Sequence, residues 1–178
     1  MRDSAQFTGT GRMSNAPMEN FMTDKSPIRV CFAASSGGHL EQLRMLSPLM
    51  DKYDSFVVTE KTPYADEIEG RRVYYLYQVN RKEHSWIPKM CANVWRSLKI
   101  CMKEKPEVVV SVGVMATIPI CLLTKLRGGK LIYIESFAKV TTTTMMGRLL
   151  HVFADQYYVQ WEQMLEIYPD AICLGGIY

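Results

Sequence analysis

The chain has 178 residues, 48% of them hydrophobic, which leaves room for one domain with a real core and is ordinary for a globular protein. Five cysteines (Cys31, Cys91, Cys101, Cys121, Cys173) form no C-x-x-C pair and join no histidine cluster, so they read as reduced core residues of a cytoplasmic protein and not as a metal site. The net charge of +3 hides an uneven distribution: residues 71 to 105 carry +7 and the rest of the chain −4.

Residues 1–27 are polar and aperiodic and read as a disordered leader. They lack the basic start and apolar core of a secretory signal. Ile28 to Ala34 is a continuous apolar run, as expected of a strand buried on both faces, and it ends in a Ser-Gly turn. Leu40, Leu43, Leu46 and Met50 then recur at helical spacing. Strands are expected at Phe56 to Val58, Val73 to Tyr77 and Val108 to Val112, with the basic segment between the last two. A helix over Ile118 to Leu126 stops at Gly128 and Gly129. Leu131 to Ile134 and Tyr157 to Val159 supply two more strands around a helix near Met145 to Phe153. The apolar run Val108 to Leu123 is shorter than the roughly 20 residues of a membrane span. Alternating strands and helices predict an α/β, Rossmann-like parallel sheet with helices on both faces, its ligand edge at the carboxyl ends of the strands.

Three segments carry candidate chemistry. In Ser35-Ser36-Gly37-Gly38-His39, the glycines let the backbone turn and bring N–H groups toward a phosphate or sugar; a plain strand-to-helix turn is the alternative. His39 falls in the first helical turn, where a neutral ring suits a general base, although a lone histidine is often structural. Glu135 and Ser136 follow a strand directly, where a carboxylate can accept sugar hydroxyls or orient a histidine, or simply meet solvent. Thr144 is expected to cap the following helix. In the third segment, Trp86 to Lys103, one half of a helical projection gathers Trp86, Ile87, Met90, Cys91, Val94, Trp95, Leu98 and Met102, and the other Lys89, Arg96, Lys99 and Lys103. That pattern fits either an interfacial helix on anionic lipid, with Trp86, Lys89, Trp95, Arg96 and Lys99 in contact, or a crossover helix burying its apolar face on the sheet.

In this order, ASSGGHLEQL, PEVVVSVG, YIESFAKV, ADQYYVQW and CLGGIY give residues 28 to 178 a resemblance to the oligosaccharide-biosynthesis family. That family includes the bacterial PssD and CpsF proteins of capsular and exopolysaccharide assembly and the membrane-anchor subunit of the eukaryotic dolichol-linked UDP-N-acetylglucosamine transferase. It is similar to the amino-terminal half of GT-B glycosyltransferases such as MurG. The resemblance implies a subunit of an inverting glycosyltransferase that moves a sugar from a UDP-sugar to a polyprenyl-diphosphate-linked acceptor. It needs no cofactor or metal, and the UDP-binding half is a separate PssE- or CpsG-like chain. Gly37, Gly38, His39, Glu135 and Ser136 match family positions, while residues 141 to 146 (TTTTMM) depart from the family's proline-containing loop. Membrane attachment would be peripheral, on the inner face, and no nucleic acid is implied. Gly175, Gly176, Ile177 and Tyr178 would dock the missing half, unless the chain ends in a last strand of the sheet. Two rivals remain: a non-catalytic scaffold that recruits its partner to membrane, and a nucleotide-dependent oxidoreductase using Glu60 as ribose-binding acid, against which the lack of G-x-G-x-x-G counts.

Overall fold

The computed structural model describes residues 27–62, 70–113 and 115–178, so the expected leader lies, except for its last residue, outside the described residues. The elements run β1 (Arg29–Ala34), α1 (Gly38–Arg44), α2 (Ser47–Met50), β2 (Asp54–Lys61), β3 (Arg72–Tyr77), α3 (Trp86–Glu104), β4 (Val108–Val112), α4 (Ile118–Leu126), β5 (Lys130–Ile134), α5 (Met145–His151), β6 (Gln156–Val159) and β7 (Ile172–Cys173). All seven strands are parallel in one sheet, in the order β3-β2-β1-β4-β5-β6-β7.

The apolar run of β1 is buried because the strand lies inside the sheet, with Cys31 registered against Phe56 on one side and Val109 on the other. Successive side chains alternate between faces, which builds two cores. Cys31, Ala33, Phe56, Val58, Val109 and Leu131 pack under Ile100 and Cys101 of α3, Ile120 and Cys121 of α4, and Leu150 of α5. Val30, Phe32, Val57, Val110 and Val112 pack under Leu40 and Leu43 of α1 and Met50 of α2. Each fully buried Leu or Phe contributes about 1.5–3 kcal/mol. Cys31, Cys101 and Cys121 are core residues as expected, but Cys91 faces outward and Cys173 is half-buried; all five are free.

Two local differences from the sequence expectation have clear causes. The helix expected over Leu40 to Met50 is split, because Pro48 has no N–H to give to the carbonyl four residues back and suits the first turn of a new helix, so α2 starts at Ser47. Helix α3 is also turned differently from the crossover reading. Its sheet-facing side is Asn93, Ser97, Ile100, Cys101 and Glu104, while Ile87, Val94, Trp95 and Met102 point outward. The crossover reading, in which the apolar half is buried, is therefore corrected: polar side chains face β3 because its terminal backbone and cations need partners. Asn93 accepts from Tyr77 N–H and donates to Tyr77 C=O, both at 2.8 Å, and Glu104 accepts from Arg72 and Tyr74. No helix among the described residues is long and apolar enough to cross a membrane.

Candidate functional site at the carboxyl edge of the sheet

Right-handed parallel crossovers carry the loops after β1, β2, β4, β5 and β6 to one edge, and the candidate residues collect there. Gly37, at φ +75°, turns the chain from β1 into α1 and places His39 in the first helical turn. The Ser35 hydroxyl stands 3.0 Å from His39 Nδ1 and 3.2 Å from the Ser36 carbonyl. Its single hydrogen goes to the carbonyl, so the network assigns the imidazole proton to Nδ1 and leaves the lone pair on Nε2. Beside Nε2 lies Gly113, which follows β4 at φ +61°; a Cβ there would stand 2.9 Å from Nε2. Burial pulls the His39 pKa below its ordinary 6.5, against a smaller opposing pull from the Glu135 charge. A neutral imidazole with one free basic nitrogen results.

Glu135 is placed differently from the sequence reading. It is 1% exposed, and its carboxylate turns inward to accept from Tyr157 Oη at 2.9 Å, Thr144 Oγ1 at 3.1 Å and the Ser136 N–H at 3.0 Å. A buried carboxylate with these donors is a structural anchor and a source of field at His39, not a group offered to a sugar hydroxyl. Thr144 also accepts from Gly147 N–H at 2.7 Å, so it caps α5 as expected and ties the cap to Glu135. Ser35 and Ser136 are buried as well, which leaves Ser36, Gly37 and Gly38 as the accessible part of the loop. Glu60 is 4% exposed and accepts from the backbone N–H groups of Val79 and Ser36; burial raises its pKa. The acid on which the oxidoreductase reading rested is thus consumed within the fold.

Several residues of the edge escaped the sequence reading. Gln160 donates to Glu135 C=O at 2.9 Å and to Gln42 Oε1 at 3.3 Å, and accepts from Ile177 N–H at 3.0 Å. The Phe137 ring packs 4.8 Å from Trp161 and 5.1 Å from Tyr178, whose hydroxyl donates to Gly38 C=O at 3.5 Å. The carboxyl-terminal segment therefore folds back along the edge to the glycine turn. The last strand is present too, as the short β7 before Gly175 and Gly176. Arg81, from the loop after β3, bridges the same edge, its guanidinium against the sulfurs of Met115 at 3.4 Å and Met145 at 2.8 Å. Gly113 was within reach of sequence reasoning, since it directly follows a buried strand. The two glutamines lie in the family segments ASSGGHLEQL and ADQYYVQW but were given no role there, and Arg81 lies in none of the quoted segments. Of the residues expected on a membrane, Trp95 and Lys99 are exposed, Trp86 is half-buried, Lys89 pairs with Glu83, and Arg96 stacks on Tyr77. Among the described residues no group of three or more His, Cys, Asp or Glu side chains could hold a metal.

Comparison with known proteins accords with this arrangement. The solved structure of Acinetobacter baumannii MurG superposes with a TM-score of 0.58 at 16% identity, over 75% of this chain and 41% of that one. UDP-N-acetylglucosamine 2-epimerase from Rickettsia bellii gives 0.63 at 15%, over 85% and 45%. The chain thus spans less than half of either protein, and the likeness is one of fold: the Rossmann-like amino-terminal half of a GT-B architecture. In sequence, the UDP-N-acetylglucosamine transferase subunit ALG14 of Mus musculus is 26% identical over 88% of this chain and 86% of its own length. The Homo sapiens subunit is 27% identical over the same shares. The family described as "Oligosaccharide biosynthesis protein Alg14 like" matches residues 30–177, nearly all of the described chain, and the protein belongs to that family.

Proposed function

We propose that this chain is the acceptor-side subunit of a two-chain inverting glycosyltransferase, moving N-acetylglucosamine from its UDP derivative to a polyprenyl-diphosphate-linked acceptor. The donor nucleotide is held by a separate PssE- or CpsG-like partner. The names of the relatives support N-acetylglucosamine as the sugar, the family's description supports an oligosaccharide setting, and neither lends anything to a capsular one. One observation carries the mechanistic part: His39 presents an unprotonated Nε2 at the ligand edge, its tautomer fixed by Ser35 and its access kept open by Gly113. In the transfer step the acceptor hydroxyl oxygen bonds to the anomeric carbon from the face opposite UDP. Its proton passes to His39 Nε2 and the bond electrons leave with UDP, so the configuration inverts. Ser36, Gly37 and Gly38 line the approach, and Arg81, set against the thioether sulfurs of Met115 and Met145 and paired with no carboxylate among the described residues, supplies a cation suited to the acceptor diphosphate. Peripheral attachment to the inner membrane face would bring the edge to a lipid-borne substrate.

Co-expression with the donor-binding chain tests the reading. The purified pair should transfer sugar from UDP-N-acetylglucosamine to a lipid-diphosphate acceptor, and neither chain alone should. The scaffold alternative has support in the same geometry, since a histidine bonded to Ser35 also braces the loop. Under that alternative His39→Ala leaves transfer by the pair intact.

A further inference from the structure

We infer that the groove between β3 and α3 seats the headgroup of an anionic phospholipid, while the outward apolar stripe of α3 lies in the adjoining bilayer interface. The groove holds about 250 Å³ and is lined by Tyr74, Tyr75, Arg96, Lys99, Ile100 and Lys103. Its three cations rest on aromatic faces or backbone: Arg96 lies 3.9 Å over Tyr77 and donates to Tyr75 C=O at 3.0 Å. Lys99 lies 5.3 Å over Trp95, and Lys103 lies 5.2 Å over Tyr74. None forms a salt bridge with a carboxylate among the described residues, whereas Lys89 pairs with Glu83, Lys125 and Lys130 with Asp155, and Arg72 with Asp54 and Glu104. The one buried acid beside the groove, Glu104, is already committed to Arg72 and Tyr74. Three cations that no carboxylate among the described residues pairs, beside the apolar Ile100, match the charge of a lipid phosphate.

The neighbouring surface says what carries that phosphate. On α3, Ile87 is 56% exposed, Val94 46%, Trp95 58% and Met102 51%, a stripe that a crossover helix would ordinarily bury. At 100° per residue, these side chains and the exposed Cys91 occupy one sector, and Lys99, Lys103 and Arg96 the next, so apolar and cationic strips run side by side over the carboxyl-terminal half of the helix. Tryptophan and methionine beside lysine are suited to an acyl and headgroup boundary. The helix begins at Trp86, at the ligand edge of the sheet, so a bilayer on this face adjoins the edge where His39 lies.

The inference stands apart from the transfer reading, because its test needs neither donor nor partner. The full chain is floated with phosphatidylcholine vesicles with and without phosphatidylserine, at low and high salt. Partition should rise with phosphatidylserine and fall with salt. Lys99→Gln with Lys103→Gln should weaken it about 25-fold, about fivefold per cation, only on the anionic vesicles. Trp95→Ala with Met102→Ala should weaken it on both kinds, and Lys130→Gln, on β5 outside the groove and paired with Asp155, on neither. Lys99→Glu alone, at an exposed position, should act in the direction of the double charge variant, with melting curves unchanged throughout. Equal partition onto neutral and anionic vesicles, no partition at all, or a Lys130→Gln loss as large as that of the groove variant would overturn it.

Discussion

At the residue scale, the proposed reactivity at the edge rests on one imidazole, His39, and what surrounds it. Burial lowers the His39 pKa, so below the ordinary 6.5 the neutral form persists in the folded protein after it would have been lost in the unfolded chain. The acid limb of kcat/KM for the assembled enzyme should accordingly have its midpoint below 6.5, with activity rising through it as pH increases. The same shift gives His39 a stability contribution that is complete above 6.5 and declines as pH falls toward the lowered value; the slope of a melting series against pH should diminish in His39→Gln. Gly113→Ala should cost both stability and activity, because the backbone is at φ +61° and the new methyl would meet Nε2 at 2.9 Å. A fall in melting temperature equivalent to about 1 kcal/mol or more, together with slower transfer, is expected. His39 was legible because a histidine after a glycine turn has a definite place in a strand-to-helix connection. Glu135 was legible only in position. Which way its carboxylate turns depends on Tyr157 and Thr144, partners 22 and 9 residues away that meet it only in the fold.

At the element scale the sheet could be read from continuous apolar runs, since strands covered on both faces have little other pattern. The short β7 could be read only as an alternative to a docking tail, because two residues carry no periodicity. Helix α3 shows the limit of amphipathic reasoning: a strong two-sided pattern did not reveal which side faces the sheet. The deciding residue is Asn93, whose amide completes the hydrogen bonds at the end of β3. Asn93→Ala should destabilise the protein by about 1–3 kcal/mol by leaving Tyr77 N–H and C=O unpaired, measurable by denaturant unfolding. The carboxyl-terminal segment behaves similarly. It is part of the fold as well as a candidate dock, since Ile177 bonds to Gln160 and packs on the core while Tyr178 covers Phe137. Removing Gly175 to Tyr178 should lower the melting temperature. If the segment also docks the partner, the point change Tyr178→Ala, at a 61% exposed ring, should weaken partner capture with a smaller stability loss.

At the scale of the whole molecule, the fold is like one half of the two-domain GT-B architecture, and the proposed function assigns the donor-binding half to a partner chain. Calorimetry on the chain alone should find no strong UDP-sugar binding; low-micromolar affinity, about −8 kcal/mol, would mean that the donor site is here. The most direct measurement is single-turnover transfer by the chain reconstituted with its donor-binding partner, comparing the native protein with His39→Ala at saturating acceptor. The rate constant should fall by about 10² to 10⁴ while partner affinity and acceptor KM stay near their native values. A variant that transfers at the native rate, or whose defect is confined to acceptor KM, would contradict a base at His39.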